Sequence, residues 1–234
     1  MNLDFSDDQK FLQEEARKFL EKEKSISRNR SVLETESHAD QELWNKIVDL
    51  GWTGIRIPEE YGGLGLGHLE LCVIAEELGR YLAPVPFSSS VYLFTEAIIN
   101  YGNEEIKKDL LPKLVTGEVI GTLAVTEELY APSKSNIKVS SKNNILNGKK
   151  IAVPDAEIAT HSLVVSKSDK GVSLQLVDLS SPGVTIKHQE NIDESRGHFS
   201  IEFDGVKSDL VGDENSGWEL YETLINQAAV LFSY

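Results

Sequence analysis

Cysteine is almost lacking in this sequence, because Cys72 is the only one among 234 residues. A single thiol excludes an internal disulfide framework and any metal site built from several cysteines. Cys72 also falls on the apolar side of a predicted helix, where a small buried thiol is the usual outcome. The chain must therefore be held by its hydrophobic core, and its 40% hydrophobic residues are enough to form one.

Basic residues are scarce as well. Lysine and arginine number 23 against 38 aspartates and glutamates, which gives a net charge of −15. Nucleic acid binding depends on lysine and arginine neutralising phosphates, and the sequence has no basic cluster. The same excess of carboxylates provides no anchor for an anionic membrane surface. We expect a solvated acidic surface and no nucleic acid partner.

Long hydrophobic runs do not occur. No apolar stretch approaches the ~20 residues that a membrane-spanning helix needs. Residues 1–6 have no basic segment leading into an apolar one, so we expect no secretory signal. These observations predict no membrane partner and a cytoplasmic location.

The first half of the sequence predicts helices. Residues 6–9 have the form of a capping box, and apolar residues then recur at helical spacing through Leu20. Asp40 and Asn103 are typical N-cap residues before further apolar stripes. Between them, the spacing predicts helices over 68–78 and 89–101.

Around Gly117 the apolar period changes from 3.6 to 2. Short runs rich in β-branched residues follow, separated by glycine, proline, asparagine, aspartate and serine. They cover residues 119–125, 145–147, 163–166, 172–177, 184–188 and 199–203. This spacing predicts a compact antiparallel barrel or sandwich. After Gly217 the helical period returns, and the sequence given ends inside that apolar stripe.

These patterns predict an α+β multidomain chain: an all-α N-terminal domain, an antiparallel β-barrel middle domain, and the first part of a C-terminal helix. We place the domains at 1–118, 119–214 and 215–234. The pattern alone identifies no chemistry. Residues 62–67 are glycine-rich but lack the Gly-Lys-Ser/Thr ending of a phosphate loop. The five histidines are scattered without metal-ligand spacing, so we expect no metal.

The order of ten short motifs is more informative. They are LGWTGI at 50–55, PEEYGGLG at 58–65, EELGR at 76–80, YGNEE at 101–105, LPKL at 111–114, TGE at 116–118, AVTE at 124–127, LNGKK at 146–150, FDGV at 203–206 and GW at 217–218. In this order they resemble the acyl-CoA dehydrogenase family over essentially the whole chain.

The resemblance implies an oxidoreductase of fatty acid β-oxidation that desaturates an acyl-CoA thioester between its α and β carbons, with FAD as cofactor. FAD supplies the hydride acceptor, and the protein positions it. The residues that the resemblance assigns to cofactor binding are Leu123, Val125, Thr126, Ala152, Val153 and Pro154. Ser133 is the candidate for substrate binding. The resemblance places the catalytic glutamate in the C-terminal helical domain, so no residue of 1–234 is assigned as the base.

Two departures from the family pattern concern the flavin. The family's aromatic-Ile-Thr/Ser, which packs on and bonds to the flavin, aligns with Ala152, Val153 and Pro154. Alanine has no ring to stack, and proline has neither hydroxyl nor N–H. A third departure follows Glu127, where the family's Gly-Ser-Asp substrate contact gives way to a different run that ends in Ser133. We therefore expect weak or no FAD binding by this chain alone.

A binding protein that merely shares the helix-and-barrel layout stays open, because fold does not fix function, but the order of the motifs disfavours it. Two functions within the family also stay open. One is an acyl-CoA dehydrogenase that is incomplete on this chain and works as a homo-oligomer or hetero-oligomer; Thr126 and Glu127 favour it. The other is a non-catalytic structural subunit in a mixed oligomer, which Ala152 and Pro154 favour. Loop carboxylates in an acidic protein are usually solvated, so Glu127, Glu128 and Asp193 are poor substitutes for the base.

Overall fold

The computed structural model describes residues 4–35 and 37–233. Helices come first, strands follow, and one long helix ends the described chain, so the predicted order is confirmed. The helices are α1 (Asp7–Lys22), α2 (Ser25–Leu33), α3 (Gln41–Asp49), α4 (His68–Arg80), α5 (Glu96–Tyr101), α6 (Glu104–Val115) and α7 (Gly217–Phe232). A π-helix, Ser88–Thr95, runs directly into α5, and two short 3-10 turns, Trp52–Gly54 and Glu59–Tyr61, lie between α3 and α4.

The predicted caps start three of these helices. The Ser6 hydroxyl accepts from the Gln9 N–H at 3.2 Å, and the Gln9 side chain accepts from the Ser6 N–H at 2.9 Å. Asp40 accepts from the Leu43 N–H at 2.9 Å, and Asn103 bonds to the third residue of α6 in the same way, also at 2.9 Å. Each cap satisfies an amide that the first turn of a helix leaves without a partner.

Eight strands form one sheet. They are β1 (Gly121–Ala124), β2 (Ser140–Lys142), β3 (Ile145–Pro154), β4 (His161–Ser168), β5 (Gly171–Asp178), β6 (Val184–Gln189), β7 (His198–Lys207) and β8 (Asp209–Val211). Their order is β6-β7-β3-β2-β4-β5-β8, and β1 pairs with β4 beside this path.

The sheet is mixed, whereas the sequence predicted an antiparallel one. Most neighbours are antiparallel, but β1 and β2 both run parallel to β4. A parallel pair needs a long crossover, and the β2–β3 hairpin lies within the connection from β1 to β4 and makes it long enough.

Two apolar cores share this sheet. The larger one joins the helices to one face of the strands, including Leu163 and Val165 of β4. The smaller one lies inside the curled sheet and includes Val164 from the same strand, together with Phe199 and Ile201. Successive strand residues point to opposite faces, so these neighbours enter different cores. Because both faces of β4 are buried, its sequence is a continuous hydrophobic run.

Helix α7 is well packed on its apolar side. Trp218, Leu224, Ala228 and Leu231 are all buried in the larger core. The helix packs against β5, α4 and the π-helix, and these elements supply the partners.

The larger core takes residues from 1–118, 119–214 and 215–233 alike, and the three-domain division stays a prediction. Within the described residues, no helix combines the length and apolar character needed to cross a membrane.

Gly121 tests how closely β1 packs on the π-helix. A Cβ at this position would stand 1.9 Å from Cγ of Phe94, so we expect Gly121→Ala to lower the free energy of unfolding by about 3 kcal/mol. The control is Gly205→Ala, where a Cβ meets open space and the positive φ of 66° costs only about 1 kcal/mol. Urea denaturation measures both, and equal losses would contradict the close packing.

Candidate functional site: the wall formed by β1 and β3

The structure brings the two segments assigned to cofactor binding side by side. The Thr122 hydroxyl donates to the Pro154 carbonyl at 2.6 Å, and the Ile151 N–H donates to the Thr126 carbonyl at 2.8 Å. The end of β1 and the residues after it therefore run along the second half of β3. We call the surface made by the six assigned residues the wall: Leu123, Val125, Thr126, Ala152, Val153 and Pro154.

Only half of the wall residues have side chains available to a ligand. Leu123 and Val125 are buried in the larger core, and Val153 is buried inside the sheet. These three can offer backbone atoms alone. Thr126 and Pro154 are half-buried, and Ala152 is exposed. A ligand lying on the wall would meet these last three side chains.

Thr126 is the wall residue whose N–H and hydroxyl are free to bind a ligand. Its carbonyl is occupied by Ile151, but neither its N–H nor its hydroxyl has a partner among residues 4–35 and 37–233. A half-buried donor without a partner costs free energy unless water or a ligand accepts from it. Thr126 is thus placed to bond an acceptor atom of a bound molecule.

The β3 side of the wall offers no such group. A bulge interrupts the pairing of β3 with β7 after Lys150, and Ala152 adopts a φ of +50°. Bulges of this kind re-aim backbone groups. Here the Ala152 N–H donates to Oε1 of Gln189 on β6 at 2.8 Å, and Pro154 has no N–H. Sequence reasoning missed Gln189, because nothing local links it to a residue so far along the chain.

A buried ion pair ties the two sides of the wall together. The Lys150 side chain is fully buried, and its Nζ lies 2.6 Å from Oε1 of Glu127. The same Nζ donates to the Val125 carbonyl at 2.9 Å. Lys150 therefore connects β3, at the start of the bulge, to the segment that carries Thr126. No pattern in the sequence distinguishes this lysine from its neighbours.

Glu127 is held by three donors, contrary to the expectation that it is solvated. Its carboxylate accepts from Lys150 Nζ and from the N–H groups of Lys138 at 2.7 Å and Val139 at 3.0 Å. Only 7% of its side chain is exposed. Its oxygens are committed to positioning bonds, so the structure agrees that Glu127 is a poor substitute for a catalytic base.

Burial lowers the pKa of Lys150 to about 8 from its ordinary value of 10.5. Desolvation disfavours the charged ammonium, and the hydrogen bond and charge of Glu127 oppose this effect only in part. A charged lysine is thus kept in an apolar place at a cost, which its two acceptors offset.

The other residues weighed from the sequence lie apart from the wall. Glu128 pairs with Lys138, and Asp193 accepts from the N–H and hydroxyl of Ser195 in a loop, which lowers the pKa of Asp193. Ser133 sits in a turn, where its N–H donates to Asn136 at 2.8 Å. No bond from Ser133 to the wall is present in the described chain, and its role in substrate binding stays a prediction. No group of metal-ligating side chains occurs among the described residues.

Replacing Lys150 tests the ion pair. We expect Lys150→Met to lower the free energy of unfolding at pH 7 by about 3 kcal/mol, because Glu127 keeps its burial and loses its cation. Between pH 8 and 10.5 the unfolded chain binds more protons at Lys150 than the folded chain does. The contribution of Lys150 to stability therefore rises with pH in this window, so the gap between the native protein and the variant widens.

Urea denaturation at pH 7, 8, 9 and 10 measures this gap. Lys149→Met is the matched control, since Lys149 is the exposed neighbour on the same strand. It should change stability little at every pH. A gap for Lys150→Met that stays constant or narrows above pH 8 contradicts the lowered pKa.

The comparisons with known proteins agree with this fold. A family model for the acyl-CoA dehydrogenase N-terminal domain matches residues 6–118. Mitochondrial isovaleryl-CoA dehydrogenase of Pongo abelii is 30% identical over 230 residues, which cover 91% of this chain and 54% of the relative. The chain spans about half the length of the curated relatives it matches.

Solved structures match over nearly the whole chain. An acyl-CoA dehydrogenase from Geobacillus kaustophilus has a TM-score of 0.88 at 26% identity, covering 99% of this chain and 65% of that one. A chain of the ChsE4-ChsE5 complex from Mycobacterium tuberculosis has a TM-score of 0.84 at 25% identity, with coverages of 97% and 62%. With its motifs in the family's order and its fold shared with solved members, the chain belongs to the acyl-CoA dehydrogenase family.

Proposed function

We propose that this chain supplies the flavin-facing wall of an FAD-dependent acyl-CoA dehydrogenase. The observation that carries the proposal is Thr126, whose N–H and hydroxyl are free on a backbone segment that the Lys150–Glu127 pair fixes in place. FAD, when bound, supplies the hydride acceptor for desaturation of an acyl-CoA thioester. The part of this chain is to hold the ring edge in a fixed position and to exclude water behind it.

The wall fits a flavin on one side better than on the other. Thr126 provides two donors for ring acceptor atoms, and the buried Leu123 and Val125 make the backbone beneath it rigid. Ala152 and Pro154 provide neither a stacking ring nor a donor, and Gln189 already occupies the Ala152 N–H. We therefore propose that FAD binds weakly to this chain alone.

We propose that the catalytic base lies outside residues 1–234. Removing an α-proton requires a carboxylate that can approach the substrate and stays free to accept it. Glu127 is fully committed to its three donors, and Glu128 is paired with Lys138. We propose that a glutamate of a C-terminal helical domain supplies the base, and that the working form is an oligomer of acyl-CoA dehydrogenase subunits.

A second candidate is a non-catalytic subunit in a mixed oligomer. Gln189 favours it, because a side chain that satisfies the Ala152 N–H leaves this half of the wall with nothing to offer a cofactor. The similarity to a chain of the ChsE4-ChsE5 complex also supports assembly with a different subunit. FAD affinity separates the two candidates.

Titration with FAD, followed by quenching of flavin fluorescence, tests the wall. We expect Thr126→Val to weaken binding about tenfold, because it removes the hydroxyl. Thr126→Ser should restore most of the loss. Pro154→Thr should tighten binding about tenfold, since it supplies an N–H and a hydroxyl where the native residue has neither.

The control for these variants is Thr185→Val, a change on the exposed face of β6 that should leave FAD affinity unchanged. Equal affinity for the native protein and both Thr126 variants would remove the flavin role of Thr126. No binding by any protein, Pro154→Thr included, would favour the non-catalytic subunit.

We expect no turnover when residues 1–234 are mixed with FAD, an acyl-CoA and an electron acceptor, because none of the described carboxylates at the wall is free to act as base. The measurement is reduction of a dye acceptor. Glu127→Gln serves as the second sample: any turnover that this change abolishes would show that Glu127 is the base after all.

A further inference from the structure

A cleft with a volume of about 270 Å³ lies between α4, the π-helix and α7, close to the wall. Most of its lining is apolar and includes Ala75, Phe87 and Phe232. A water molecule occupies ~30 Å³ in the liquid, so the space corresponds to about nine waters. That is room for a short hydrocarbon group.

Tyr92 is the unexpected residue of this cleft. It lines the space and is only 6% exposed, with its ring edge-on to Phe87 at 5.5 Å and to Phe232 at 5.9 Å. Its hydroxyl forms no hydrogen bond to any residue within 4–35 and 37–233. Burial raises the pKa of Tyr92, so the hydroxyl keeps its proton and stays a donor.

The Tyr92 hydroxyl is not among the fully buried polar atoms that lack a partner, so it is open to the cleft and can donate to whatever occupies the cleft. Since no residue of the described chain accepts from Tyr92, the acceptor must come from what fills the cleft. Water can serve when the cleft is empty of ligand, and an apolar group that displaces this water leaves the hydroxyl unpaired.

The cleft also has an ion pair in its lining, Arg196 with Asp155. Arg196 donates from Nη2 to Asp155 at 2.5 Å and to the Ser89 hydroxyl at 3.0 Å, and Ser89 also bonds to Asp155. The Asp155 side chain is 3% exposed, so its charge is neutralised by Arg196 at close range. A second carboxylate brought into the cleft would meet Arg196 already paired with Asp155, which disfavours an acyl group that ends in an acid.

The cleft also adjoins the wall. Asp155 is the residue directly after Pro154, and Ser90, next to Ser89 on the π-helix, accepts from the Gly121 N–H at the start of β1. A group that begins at the wall can therefore reach the cleft without crossing a strand.

We propose that this cleft receives the far end of the acyl group, and that the end it selects carries a neutral hydrogen-bond-accepting oxygen, such as a ketone, bound by the Tyr92 hydroxyl. This inference rests on the proposed function, since it takes the ligand to be an acyl thioester. It narrows the substrate to oxygenated acyl groups and disfavours both plain alkyl chains and dicarboxylic acyl groups.

The first experiment tests the cleft without a thioester. Cyclohexanone and methylenecyclohexane have nearly the same shape, and only the ketone has an acceptor oxygen. Each is titrated into the native protein while the NMR signal of the Ala75 methyl group is followed. We expect cyclohexanone to bind about tenfold more tightly. Equal affinity, or no shift of Ala75 with either compound, overturns the proposal.

Variants assign the preference to one hydroxyl. Tyr92→Phe removes only the oxygen and should reduce the ratio of the two affinities to about one. Tyr61→Phe is the matched control, because Tyr61 lies on the 3-10 turn Glu59–Tyr61, away from the cleft, and should keep the ratio. A ratio that survives Tyr92→Phe overturns the role of Tyr92.

The second experiment uses octanoyl-CoA and 7-oxooctanoyl-CoA with the same proteins, measured by calorimetry. Tighter binding of the oxo compound, lost in Tyr92→Phe, supports the inference. If the ketone preference holds for the small compounds but neither thioester binds, the proposed function fails while the chemistry of the cleft stands. If both thioesters bind equally, the proposed function survives and the oxygen preference is overturned.

Discussion

The bond between Lys150 and Glu127 determines where the wall stands. Strand β1 ends at Ala124, and of the next three residues only Thr126 has a backbone bond to a strand, from Ile151 of β3. Lys150 adds to that bond: it reaches from β3 to the Val125 carbonyl and to Glu127, and Glu127 in turn holds the amides of Lys138 and Val139. A loop with few backbone bonds thus becomes a rigid surface, which a site for a flat ring requires.

Burying the Lys150–Glu127 pair lowers the stability of the folded chain, and other parts of the fold must offset this loss. Burying an ammonium group disfavours its charged form, as the lowered pKa of Lys150 shows. The two apolar cores on opposite faces of β4 make the surrounding sheet stable enough to hold the pair. Helix α7 contributes as well, since its buried stripe of Trp218, Leu224, Ala228 and Leu231 packs against β5 and belongs to the larger core.

The sequence predicted what local chemistry decides. Ser6, Asp40 and Asn103 cap helices because their short polar side chains satisfy nearby amides, and six strands lie where β-branched runs alternate. Helix α2 and the short strands β2 and β8 were missed, since Ser140–Lys142 and Asp209–Val211 have little apolar pattern of their own. Phe11 is apolar and lies on α1, yet it is 65% exposed, because one residue turns the helix by ~100° away from Leu12.

The candidate site shows where such reasoning ends. The resemblance placed Thr126 and Ala152 on the wall, and the structure puts their segments side by side, but the decisive partners come from distant strands. Gln189 reaches the Ala152 N–H from β6, and Lys150 reaches Glu127 across the site. No spacing rule relates such pairs, because their contact exists only once the sheet has formed.

The two sides of the wall, the β3 side with Ala152 and the side with Thr126, differ in the hydrogen-bond donors that they offer a ligand. The bulge in β3 aims the Ala152 N–H away from its ladder, as a site for a ligand would require, yet Gln189 satisfies that N–H from within the protein. Thr126 has kept its donors free on a segment whose rigidity is maintained by a buried charge. A chain with no use for the wall would gain stability by replacing Lys150 and Glu127 with apolar residues, because buried ion pairs are seldom the most stable solution. The proposed flavin role of Thr126 therefore rests on two observations: its donors are free of protein partners within the described residues, and a buried ion pair holds its segment in place.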